Sequence, residues 1–110
     1  FENDYWAISL KESTGKIKSN KEINQKKQVR FLVCGLPAAS VKYNLNNLKE
    51  KINFKIVRSE ENPDYVILNN RTLKSLKDDV IHTCFKEYTG RNLIEVKRRN
   101  LVISAIKEIN

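Results

Sequence analysis

Apolar residues along this chain fall into short continuous runs separated by stretches of helical spacing. The clearest run lies in Arg30 to Pro37, RFLVCGLP, where Phe31, Leu32, Val33 and Cys34 stand together. A charge precedes it and a Gly/Pro turn ends it. Such a run predicts a strand buried on both faces, the central strand of a parallel sheet. Tyr65 to Leu68 (YVIL) and Leu93 to Val96 (LIEV) repeat the pattern, and Phe54 to Arg58 (FKIVR) completes a set of four strands. Glu95 is expected to look outward.

Between the runs, apolar residues recur every three or four positions, the period of a helix with one buried face. Ser40 is a good N-cap for a first core helix carrying Val41, Leu45, Leu48 and Ile52. Ser59 to Asp64 reads as a polar turn around Pro63. Thr72 caps a second helix with Leu73, Leu76, Val80, Cys84 and Tyr88 inward, and Gly90 stops it. Asn100 caps a last helix with Leu101, Ala105 and Ile109 on one face. The order from Phe31 is β-α-β-β-α-β-α. This is an α/β fold: a small, mostly parallel four-stranded sheet with helices on both faces. Right-handed crossovers place the first and last helices on one face and the second on the other.

Ahead of this lies an N-terminal extension, residues 1–28, distinct from the domain at 29–110. Phe1 to Leu10 fits a strand by the alternation of Trp6, Ile8 and Leu10, and a helix by Phe1, Tyr5 and Ile8. Trp6, the sole tryptophan, either pins the segment to the domain or anchors a partner. Lys11 to Gln28 holds only Ile17 and Ile23 as large apolar residues among many Lys, Asn and Ser, and reads as a basic linker.

The 110 residues allow one domain with one modest core. A chain beginning at Phe1 reads as a fragment of a longer protein. Net charge is +8, and the stretch from Lys11 to Arg30 holds seven Lys/Arg against two Glu. Such a balance favours polyanions: acidic or phosphorylated protein segments, and weak non-specific nucleic acid through Lys11 to Arg30. No apolar run approaches the roughly 20 residues that span a bilayer, so no membrane is expected. Cys34 and Cys84 sit in buried elements without C-x-x-C spacing and are expected as reduced core thiols. With His82 the only histidine, structural zinc is not expected, nor any cofactor.

No nucleophile, acid–base or phosphate-cradling signature is present, so the chain reads as non-enzymatic with no small-molecule substrate. His82 and Cys84 are two apart on a predicted helix and do not share a face. The informative group is Gly35 with Arg71, Thr72 and Lys74. In a parallel sheet of this order, the loop after strand one and the start of helix two share the carboxyl edge. Exposed N–H groups there attract an anion, and Lys74 in a first helical turn is unfavourable unless one is near. Scaffolding alone explains the same residues.

With FLVCGL, PDYVIL, RTLK and GRNLIEVKRRNLVISAI in view, the chain resembles a BRCT repeat over Val29 to Ile109. That family binds phosphopeptides and proteins in DNA repair and chromatin. The resemblance implies a nuclear, chromatin-associated interaction module. In phosphate-binding members a Ser or Thr ends strand one, the next Gly offers its N–H, and a T-x-K lysine contacts the phosphate. By resemblance these fall on Cys34, Gly35, Thr72 and Lys74, with Arg71 as a neighbouring charge. Cys34 departs from the pattern because a thiol donates poorly to phosphate. Ile52-Asn53-Phe54 replaces the usual Gly-Gly, and the large Trp of the last helix is missing. An N-terminal extension before such a domain is similar to the hub-type domain of yeast Sir-family scaffolds, which would imply transcriptional silencing at telomeres.

Two other readings stand beside it. An RRM-like or basic nucleic-acid-binding domain fits β-α-β-β-α-β, but Tyr65 to Leu68 lacks the stacking aromatics that module needs. A small basic nuclease would need an acid–base pair that a single histidine does not supply.

Overall fold

The computed structural model of the chain describes residues 2–35, 37–49, 51–69, 87–98 and 100–109. A helix α1 (Glu2–Gly15), a 3-10 turn (Ile17–Ser19) and a short helix α2 (Lys21–Asn24) precede the sheet. Strand β1 (Val29–Cys34), helix α3 (Ala38–Asn46), strand β2 (Phe54–Ile56), a 3-10 turn (Ser59–Glu61) and strand β3 (Tyr65–Asn69) follow. Strands β4 (Asn92–Arg98) and β5 (Leu101–Glu108) close the described chain.

The sheet is α/β in kind but has five strands in the order β2-β1-β3-β5-β4. β1 pairs in parallel with β2 and β3, whereas β5 runs antiparallel to both β3 and β4. The sheet is therefore mixed, not four-stranded and mostly parallel. β3, rather than β1, is the middle strand. All five of its residues are buried, and their alternation serves two layers. Tyr65 and Ile67 join Phe31, Val41, Leu45 and Ile106 on one face. Val66 and Leu68 meet Leu32, Cys34, Tyr88 and Ile109 on the other.

The helix expected from Asn100 is β5. Arg98 pairs with Leu101, so the hairpin turns in two residues, and Asn100 takes φ 69°. Left-handed backbone suits asparagine and hairpin turns, and it bars a helix start. Leu101, Ala105 and Ile109 share a helical face, but LVISAI is also mostly apolar, with Val102, Ile103 and Ile106 β-branched, which suits a buried strand. Pairing decides between them: β5 satisfies the backbone groups of β3 on one side and β4 on the other.

The N-terminal extension is not a linker. Leu10, Ile17 and Ile23 are fully buried in the same core as Val29 and Phe31. α1 packs on β4, β5 and α3, so it shares the face of α3. It takes the place that right-handed crossovers assign to a last helix. Its inward residues include Ser9, Ser13 and Thr14, all buried. The hydroxyls of Ser13 and Thr14 donate to the Leu10 carbonyl at 3.0 Å, which lets polar residues lie inside without loss. Asn20 caps α2 by accepting from the Ile23 N–H at 3.1 Å, and Asn24 donates to the Ile17 carbonyl at 2.7 Å.

α3 also differs from its expected bounds. Pro37, with φ −67° and ψ 132°, is its N-cap, and the Ser40 N–H already donates to the Pro37 carbonyl at 3.1 Å. The helix stops at Asn46, where Asn47 donates to the Tyr43 carbonyl at 2.7 Å. Leu48 and Ile52 pack on the core from beyond the helix. The second helix expected from Thr72 begins outside the described residues.

Two expected outcomes follow from this arrangement. Ile17→Ala should cost about 2–5 kcal/mol in urea unfolding, the range for a buried Ile truncated to Ala. A loss below about 0.5 kcal/mol, typical of surface sites, would show the extension undocked. At the hairpin, Asn100→Gly should stay within about 0.5 kcal/mol of the parent. Asn100→Val should lose about 1–2 kcal/mol by forcing a β-branched residue left-handed.

Candidate functional site

Gly35 ends β1 with φ 88°, a left-handed backbone that glycine adopts without a steric penalty. The glycine of the expected anion loop thus marks a real turn at the carboxyl edge of the sheet. Cys34 beside it is disulfide-bonded, not a reduced thiol, and no described cysteine is free. A disulfide sulfur has no S–H to donate, so Cys34 cannot act as the donor that ends strand one in phosphate-binding BRCT members. The chain's second cysteine, Cys84, lies outside the described residues, as do Arg71, Thr72, Lys74 and His82. Trp6 lies within α1, and its side chain falls outside what is described.

Positive charge gathers instead at the amino end and β2 side of the sheet. A depression of about 170 Å³ is bordered by Lys18, Lys26 and Lys51 over Ile17, Ile23 and Val29. A second, of about 390 Å³, runs between α3 and β2, with Lys42 and Asn46 on one wall and Phe54, Lys55 and Ile56 on the other. The two share Ile52 and Asn53 and so form one continuous surface. Lys26 is held 3.6 Å from Asp64, and Lys51 donates to the Asn46 carbonyl. Lys18, Lys42 and Lys55 have no salt-bridge partner among the described residues.

The sequence reading placed the basic residues of 11–30 on a loose linker and so missed this rim. The 3-10 turn (Ile17–Ser19) and the stretch after α2 carry Lys18 and Lys26 to the sheet's end, and α3 and β2 bring Lys42 and Lys55 beside them. Spacing along the chain could not reveal that convergence. The alternation of Phe54 and Ile56 around Lys55 was the one available signal.

The loop from Arg58 to Asp64 frames the far side. Arg30 and Asp64 exchange two contacts: Arg30 N–H donates to the Asp64 carboxylate at 2.9 Å, and Asp64 N–H donates to the Arg30 carbonyl at 2.8 Å. Glu61 accepts from the Arg58 N–H at 2.8 Å, while its own N–H donates to the Arg58 carbonyl at 2.9 Å. That backbone bond, with the charges of Arg58, Lys55 and Arg30, holds the Glu61 carboxyl below its ordinary range. At the opposite flank, Arg91 spans Glu22 at 2.8 Å and Glu108 at 3.0 Å. It ties α2 to the β4–β5 side. Burial, followed by the charges of Glu22, Asp64 and Glu108, pushes the Tyr65 hydroxyl upward.

Among the described residues no cluster of acidic, histidine or cysteine side chains is built to hold a metal. No described helix is long and apolar enough to cross a membrane. No family model matches the chain, and no curated protein or solved structure matches it.

A depressed carboxyl stabilises the fold above its unfolded value and loses that contribution as pH falls through the folded value. The Glu61 carboxyl should therefore titrate below the ordinary glutamate value in a carbon-detected NMR series. Arg58 should lose its amide position over the same acidic window. A midpoint at or above the ordinary value would show that the Glu61–Arg58 bond is not made.

Proposed function

We propose that this chain is a non-enzymatic protein-interaction module that binds acidic or phosphorylated protein segments. The observation that carries this is the lysine-rimmed surface between α3 and β2, floored by Ile52, Phe54 and Ile56. Apolar floor and cationic rim together suit a peptide that presents carboxylates or phosphates from an extended backbone. A nucleic-acid platform of RRM type needs an open sheet face, and β3 is buried on both sides.

The β1-α3-β2-β3 segment supports a module of BRCT type, since its order and parallel pairing are those the resemblance implies. The β4–β5 hairpin departs from it, and α1 stands where that family's last helix would pack. Binding to nuclear chromatin partners, including a silencing scaffold role at telomeres, belongs to this proposal. The disulfide at Cys34 is the observation that stands against this nuclear part of the proposal, because the nucleus is reducing and disulfides are rare there.

The test is a competition titration at moderate salt. Labelled acidic peptides, with and without phosphoserine, compete against single-stranded RNA and duplex DNA. Saturable peptide binding is expected. Replacing Lys18, Lys42 and Lys55 together by Ala should weaken it about tenfold, from roughly 0.2–1 kcal/mol per exposed charge. Lys74→Ala, with the fold retained, reads the separate contribution of the carboxyl-edge group. Preference for nucleic acid over every peptide would overturn the proposal. Deleting 11–27 is not a usable control, because it removes Ile17 and Ile23 from the core.

A further inference from the structure

The two outer edges of the sheet are treated differently. β4 carries two register irregularities. Side chains of the N-terminal segment also occupy its carbonyls: Lys16 Nζ donates to the Glu95 carbonyl at 3.3 Å, and Asn20 Nδ2 donates to the Leu93 carbonyl at 3.4 Å. Bulges and covering side chains are ways of closing an edge to further pairing.

Among the described residues, no side chain covers the outer edge of β2 and no strand lies beyond it. Its inner side is fixed by the parallel ladder. Val29 N–H donates to the Asn53 carbonyl, and Val57 N–H donates to the Phe31 carbonyl, each at 2.9 Å. In that register Asn53, Lys55 and Val57 turn their backbone toward β1. Phe54 and Ile56 therefore turn their N–H and C=O groups outward, into the groove against α3. An unpaired strand edge beside a helix is a site where an extended peptide adds as a strand.

We infer that an acidic, extended peptide segment docks by adding a sixth strand to the outer edge of β2. This rests on the proposed function and deepens it by naming how the partner is held. Strand pairing supplies the backbone bonds, at Phe54 and Ile56. Charge supplies the selection. Side chains of an added strand alternate between the sheet's faces. Those on the α3 side lie beside Lys42, and those on the opposite side lie beside Lys55, which alternates away from the core-facing Phe54 and Ile56. An acidic residue on either face therefore finds a lysine. The same lysines repel a second copy of this edge, so a partner strand, not self-pairing, fits the site.

The probe is a ten-residue peptide alternating Val and Asp, paired with the same peptide N-methylated at every amide, because methylating alternate amides would leave one strand edge free to pair. N-methylation leaves the charge intact and removes strand hydrogen bonds. The first peptide should bind, slow amide exchange at Phe54 and Ile56, and leave exchange in β4 unchanged. The methylated peptide should bind about tenfold more weakly, as the loss of two backbone hydrogen bonds implies. Equal binding by both peptides, still lost in Lys42→Glu with Lys55→Glu, would overturn strand addition while leaving acidic recognition standing. Binding by neither peptide at low salt would overturn both.

Discussion

β3 sets the terms for everything around it. A strand whose five residues are all buried needs an apolar layer on each face and a backbone partner on each edge. β1 supplies one edge in parallel, and β5 supplies the other in antiparallel. That second requirement turns the chain's last segment into a strand. It also displaces β4 outward by one position, so the sheet becomes five-stranded and mixed. A helix at the same place would have left the backbone of β3 unpaired in the interior.

Once the last segment is committed to the sheet, the face beside α3 lacks a helix. α1 fills it. The interface is unusual in being part polar: Asn69 of β3 donates to the Ser9 hydroxyl at 3.3 Å, and Ser104 of β5 lies opposite Asn69 in the ladder. Asn69 Oδ1 and Ser104 Oγ make no hydrogen bond among the described residues. Buried polar atoms left in this way work against stability, and the apolar burial of Leu10, Ile17 and Ile23 offsets them. The small Ser and Thr side chains let α1 sit close to the strands, and their bonds to the Leu10 carbonyl hold them.

The docked extension has an electrostatic consequence. It presents Lys18 and Lys26 at the amino end of the sheet, next to Lys42, Lys51 and Lys55. It also covers β4 with Lys16 and Asn20. One segment thus closes one edge and helps charge the region beside the other. Asp64, held 3.6 Å from Lys26, and Glu61 border this region, while Glu22 and Glu108 are held by Arg91 on the β4–β5 side.

The sequence by itself determined the α/β class, the strand β1, the buried run of β3, the core of Val41 and Leu45, and the turn at Gly35. Each is a local pattern: a continuous apolar run, a helical spacing, or a backbone only glycine adopts freely. It did not determine the docking of residues 9–24, because serine and threonine on an inward face cancel the amphipathic signal that marks a buried helix. Nor did it determine β5, because Leu101 to Ile109 satisfies both periods and only the empty edges of β3 and β4 decide between them. The lysine rim was equally out of reach. Its members lie far apart in sequence and meet only because the extension, α3 and β2 converge on one end of the sheet. Tertiary packing settled these points, since each depends on what a segment faces rather than on what it contains.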